Sequence, residues 1–212
     1  MNEKYYIRED KQYYKCLQGV SNNKIILNKV GGTLKIIFWL ISLCSLVVAT
    51  LLFMVPVLAN PNIKSEEAIF LTVTYLCDLV LSLVYIFIVA KSHEHIHKRV
   101  MEKFGGKCEA RNDICIETTN FKFTRKQYIK GLRAPLKFVL ILGALVLLIL
   151  FAITKSFIPV IFVGAISWGC KICRLDIHDI SVLLKNHNES SQVEMIAEKT
   201  QDKVYSGFKV YD

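Results

Sequence analysis

From Ala68 to Arg99 the chain reads AIFLTVTYLCDLVLSLVYIFIVAKSHEHIHKR. Between Ala68 and Ala90 the only charge is Asp78, and directly after Lys91 and Ser92 come three histidines in alternation. An apolar run of this length matches the ~20 residues that a helix needs to cross ~30 Å of hydrocarbon. The polar cluster that ends it carries the pattern His93-Glu94-x-x-His97. One stretch thus predicts both a membrane span and a site at its end.

Three further apolar blocks flank this one. Ile36 to Leu58 carries no charge; Phe138 to Thr154 and Phe157 to Cys170 are shorter, separated by Lys155 and Ser156. The third reaches spanning length by including Pro135 and a snorkelling Lys137, and the fourth by borrowing Lys171 to Leu175. The chain of 212 residues is 53% hydrophobic and 21% charged, with mean hydropathy +0.37. An average soluble domain is less apolar and more charged. The expected fold is an all-α membrane protein with four transmembrane helices.

Lys and Arg are placed unevenly. Residues 1–33 hold six, 91–134 eleven and 171–212 six, whereas the two short loops hold Lys64 and Lys155. The positive-inside rule puts both termini and the middle segment in the cytosol, and both short loops outside. This predicts a multi-pass protein of the cytoplasmic (inner) membrane. The bias accounts for the net charge of +9, so the expected surroundings are the lipid bilayer, with no nucleic acid. The first apolar run starts too late and is too long for a cleavable signal. With four Pro and ten Gly the chain is not collagenous, and no phosphate-binding glycine loop or internal repeat occurs. None of the seven cysteines is expected in a structural disulfide in a reducing cytosol.

The predicted organisation is a cytosolic N-terminal segment (1–33), a four-helix membrane domain (34–185) with a cytosolic insert (98–134), and a polar, poorly ordered tail (186–212). In the insert, Gly105-Gly106 stops a helix after Glu102. Residues 114–116 and 121–123 alternate as two short strands of a small hairpin. Pro135 suits the first turn of the third span.

On a helix, His93 and His97 lie ~6 Å apart along the axis and ~40° apart around it. Two imidazoles so placed can hold one zinc ion, with Glu94 as general base for the activated water. Catalytic zinc needs a third protein ligand and an open position. Packing of the fourth span against the second would supply Asp176 or Asp179, since the fourth span exits at the same depth through Arg174-Leu175-Asp176-Ile177-His178-Asp179.

These residues resemble the small bacterial zincin peptidase family, membrane metalloproteases related to the site-2 proteases. His93-Glu94-x-x-His97 is followed by Phe104-Gly105-Gly106-Lys107. Phe123 to Ile129 and Leu132-x-Ala134-Pro135-Leu136 are similar to the family's approach to the third span. Asp179-Ile180 with Val182-Leu183-Leu184 resembles its closing aspartate motif. The similarity runs over roughly residues 35–210. It implies zinc on His93, His97 and Asp179, catalysis by Glu94, and a membrane protein or peptide as substrate. The pattern departs at Lys98, where a small residue is usual, and at Cys173-Arg174-Leu175, where glycines are usual. The choice between Asp179 and Asp176 stays open, as does a degenerate, inactive member. An extended substrate could add to a strand edge in the insert. A reading of another class is a non-enzymatic sensor, immunity factor or scaffold that binds a partner through its basic cytosolic segments.

Other features stand apart from this site. Tyr75, Asp78, Ser82 and Tyr85 share one helix face. An intramembrane carboxylate there signals a polar cavity or ion path, or else a protonated Asp hydrogen-bonded between helices. Asp78 is ~22 Å from His93 along a helix, too far to be a ligand. Cys170-x-x-Cys173, Cys108 and Cys115 are expected to act as small hydrophobes rather than as a zinc site. His187 is expected to be solvated. Ser45/Ala49 and Ala165/Gly169 are expected packing contacts.

Overall fold

A computed structural model of the chain describes residues 3–8, 25–28, 32–59, 63–111, 114–155, 158–199 and 204–212. Cys16 and Ser156 lie outside the described residues. The chain divides into two units. One comprises residues 32–90 and 136–174, the other residues 1–31, 91–135 and 175–212.

The first unit is helical. Helix α1 spans Gly32–Ala59, α2 Ser65–Glu102, α3 Arg125–Thr154 and α4 Ile161–Ile172, the last preceded by a 3-10 turn at Ile158–Val160. Three of these helices, α1, α2 and α3, are long and apolar enough to cross a membrane. Their flanks expose large apolar side chains such as Leu51, Leu58, Leu83 and Leu148. Such surfaces suit hydrocarbon and not water, and they mark a membrane protein. Helix α4 has 12 residues, about 18 Å of rise against the ~30 Å of hydrocarbon. It stops before Cys173, so Lys171 to Leu175 do not extend it as one helix. Arg174 opens a separate polar helix, α5, Arg174–Asn186.

Small residues set the packing inside this unit. Ser42 Oγ donates to the carbonyls of Phe38 and Gly164, and Ser167 Oγ also donates to Phe38. A Cβ on Gly164 would stand 2.3 Å from Ser45 Oγ. Ser45, Ala49 and Ala165 are buried, and Gly169 faces Val139 and Tyr85, so both small-residue pairs do serve close approach. Tyr85 Oη donates to Val139 O at 2.6 Å.

The second unit contains β structure, which corrects the all-α expectation. Strands β1 (Glu3–Arg8), β2 (Ile25–Asn28), β5 (Lys122–Thr124), β6 (Gln192–Lys199) and β7 (Val204–Tyr211) form one sheet in the order β2-β1-β7-β6-β5. Only the β1–β2 pair is parallel. The tail beyond Asn186 is therefore no loose appendage. Val193, Phe208 and Val210 turn inward and join a core with Tyr6, Met101, Phe123, Tyr128 and Leu183. The N-terminal segment and the tail belong to one sheet, through the register Tyr6↔Phe208.

The insert has strands at both expected places, with other partners. β4 (Ile114–Glu117) pairs with β3 (Cys108–Arg111), and β5 pairs with β6. Between them Glu117, buried, gathers the amides of Lys107, Thr119 and Phe121 and the hydroxyl of Thr119. Helix α2 ends at Glu102 and turns at Gly105, whose φ is +101°, as the glycine pair predicts. Gly106 admits the Phe123 ring, which a Cβ would meet at 2.6 Å. Pro135 lies inside α3 rather than in its first turn, because the basic stretch from Arg125 is already helical.

His187 is a further correction. Its side chain is 0% exposed. Nδ1 donates to Asp212 at 2.9 Å and Nε2 accepts from Tyr6 Oη at 2.8 Å, while Ser191 Oγ donates to Asp212.

Candidate metal centre

The site lies wholly within the second unit. After Ala90 helix α2 continues as a polar helix, and its pitch stacks His93 and His97 on one buried face. Their rings meet edge to face with centroids 4.7 Å apart. His95 points the other way, exposed, its Nδ1 3.3 Å from Lys91 O.

The third group is Asp176, in the first turn of α5. The break at Cys173 resets the chain, so α5 starts with its own rotation and its N-terminus favours a carboxylate there. Asp176 Oδ2 lies 3.2 Å from His93 Nε2 and 3.3 Å from His97 Nε2, and the two nitrogens are 3.2 Å apart. Asp179, three residues on, projects about 60° away around the helix. It is buried, with Oδ1 3.9 Å from His178 Nδ1, and is not among the three groups brought together. Of the two aspartates that the sequence offers, the fold converges Asp176 on the histidines.

The triangle fits a metal ion. Tetrahedral ligands held at about 2.0–2.1 Å from zinc are separated by about 3.3–3.4 Å, close to the edges here. The donor chemistry agrees. His97 Nδ1 is 3.1 Å from Gly131 O and, donating there, leaves a lone pair on Nε2. A lone pair facing a second imidazole nitrogen and a carboxylate oxygen calls for a cation at the centre. Two neutral imidazoles and one carboxylate would leave the fourth position open.

Glu94 stands at the rim. Its Oε1 is 3.7 Å from His93 Nε2 and its side chain is 16% exposed. It can therefore reach both the centre of the triangle and water.

The Gly131 contact has a cause that can be traced in the sequence. In a helix the carbonyl of residue 131 would accept from the amide of residue 135, but Pro135 has none. The freed carbonyl takes His97 instead, fixing the tautomer from outside the ligand shell. Gly131 also lets α3 approach α2, for a Cβ there would lie 2.2 Å from Met101 Cε. Local pattern assigns neither Gly131 nor Pro135 to the site; the one signal in the sequence is a proline four residues after a glycine. No cysteine belongs to the metal group among the described residues; Cys108 and Cys115 are free thiols buried in the core.

No protein-family model, no curated protein and no solved structure matches the chain.

Proposed function

We propose that the chain is a membrane-embedded zinc metallopeptidase that hydrolyses a peptide bond near the cytosolic membrane face. The observation that carries this reading is the near-equilateral triangle of His93, His97 and Asp176 with Glu94 at its rim. In the accompanying topology α4 completes a fourth, short crossing, and both termini are cytosolic, as the Lys and Arg distribution suggests.

Zinc, when bound, supplies a Lewis acid that activates water and polarises a peptide carbonyl. The remaining roles fall to the chain. Glu94 takes a proton from the attacking water and returns it to the leaving amine. His97 is held in one orientation by Gly131 O. Asp176 contributes the single negative charge of the ligand set, leaving the site with net positive charge toward a developing oxyanion. β4 and β5 each leave one edge without a partner strand among the described residues, where an extended substrate could add.

The test is zinc stoichiometry on detergent-purified protein, followed by cleavage assays with Glu94→Gln as a trap. One zinc per chain, lost in His93→Ala/His97→Ala, supports the reading. No zinc after reconstitution overturns it. Bound zinc in a closed, water-free shell of four protein ligands would point instead to a non-enzymatic sensor or scaffold.

A further inference from the structure

The first unit holds a second cluster that the peptidase chemistry does not use. Asp78 is 1% exposed, and neither of its carboxylate oxygens has a hydrogen-bond partner among the described residues. One turn on, Ser82 is also buried and its hydroxyl is likewise unpartnered. Thr74, one turn before, is buried on the same face.

The helix bonds two tyrosines, one on either side of this stretch, to its neighbours. Tyr75 Oη meets Thr50 Oγ1 of α1 at 3.1 Å, and its ring stacks on Phe53. Tyr85 Oη, toward the other end, donates to Val139 O of α3 and packs on Phe162 of α4. The orphaned oxygens are thus confined to the stretch between two well-made interhelical contacts. Buried polar atoms are paired almost without exception in folded proteins, and a carboxylate within hydrocarbon is a functional site by default.

We propose that Asp78 and Ser82 form an intramembrane binding site for a monovalent hard cation, sodium in the first place. Three considerations select this guest. At 1% exposure Asp78 cannot be reached by a side chain of a second transmembrane helix, so the occupant is small. The donors are all oxygen, which suits hard alkali cations and not zinc or copper. The site carries one negative charge, which a monovalent cation neutralises and a divalent one would overcompensate within the membrane. A proton would also remove the charge, and the sodium titration separates the two, because a site held by a proton gives no saturable response to sodium.

The experiment is thermal unfolding of the full chain in detergent, with sodium chloride exchanged for N-methylglucamine chloride at constant ionic strength and pH 8. The wild-type midpoint should rise saturably with sodium, because a ligand bound by the native state alone stabilises it. Asp78→Asn should show no sodium-dependent rise, and Ser82→Ala should need about tenfold more sodium for half the effect. His93→Ala/His97→Ala should retain the full sodium response, which keeps this test separate from that of the zinc site. A wild-type midpoint indifferent to sodium overturns the proposal, and so does an equal response in Asp78→Asn. If Asp78→Asn does not fold, radioactive sodium binding to the wild type decides: one saturable site per chain supports the proposal, and none refutes it.

Discussion

Replacing Pro135 with alanine should move two properties in opposite directions. The substitution restores a backbone N–H four residues after Gly131, and that donor then competes with His97 Nδ1, now 3.1 Å from the carbonyl. Groups that orient a metal-bound histidine typically contribute 10–100-fold to affinity. The carbonyl keeps a second lone pair, so the lower end applies: about tenfold weaker zinc binding, or ~1.4 kcal/mol. The metal-free protein should become more stable, since proline in a helix interior costs up to about 3 kcal/mol relative to alanine. Zinc affinity is read by competition with a chromophoric chelator, and stability by unfolding in excess chelator. Gly131→Ala is the contrast. Its Cβ would collide with Met101 at 2.2 Å, so both affinity and stability should fall. If Pro135→Ala binds zinc as tightly as wild type, the carbonyl does not orient His97 and the reasoning fails.

Asp176→Asn should weaken zinc binding by at least a hundredfold, whereas Asp179→Asn should change it less than tenfold; equal losses in the chelator titration would remove the distinction drawn between them. Glu94→Gln should keep zinc and lower peptide cleavage by about 10²–10⁴-fold, read by product formation at saturating metal. Glu117 should make the insert acid-sensitive. Burial opposes its ionisation, but the Thr119 hydroxyl and the amides of Phe121, Thr119 and Lys107 more than compensate, so its folded-state value lies below its ordinary one. Its stabilisation is complete above the unfolded value of about 4.3 and is lost as pH falls through the lowered folded value. Hydrogen exchange at residues 107–121 should rise on acidification in the wild type, and Glu117→Gln should flatten that dependence. Gly106→Ala should cost about 1–3 kcal/mol in denaturant unfolding, because its Cβ meets the Phe123 ring at 2.6 Å.

Spans, helix ends and the histidine pair were legible because each follows from local pattern. Apolar length marks α1, α2 and α3, Gly105 marks the end of α2, and the i, i+4 spacing aligns His93 with His97. What was not legible depends on partners far away in the chain. β6 and β7 look like a polar tail because Glu194 and Lys209 alternate with the inward Val193, Phe208 and Val210, and the tail has no face to bury until β1 and β5 flank it. The alternation at 121–123 marks a strand, but that strand pairs with β6 and not with its neighbour in sequence. His187 reads as solvated until Tyr6 and Asp212 close over it. The choice between Asp176 and Asp179 turned on the rotation of α5, which the break at Cys173 sets and composition does not reveal. The proline signal at 135 was present in the sequence, but its consequence appears only once α2 lies beside Gly131.

The register Tyr6↔Phe208 has a meaning for biogenesis. β1 leaves the ribosome before β7 and must wait for it while the three long apolar helices that separate them in sequence are made. Closing so distant a pair is slow and entropically costly, and the unit it completes is the one that carries His93, His97 and Asp176. In the proposed role as a peptidase, a nascent chain would carry its zinc-binding histidines long before it could assemble a working site. Synthesis order alone would then hold the protein inactive until its helices are in place.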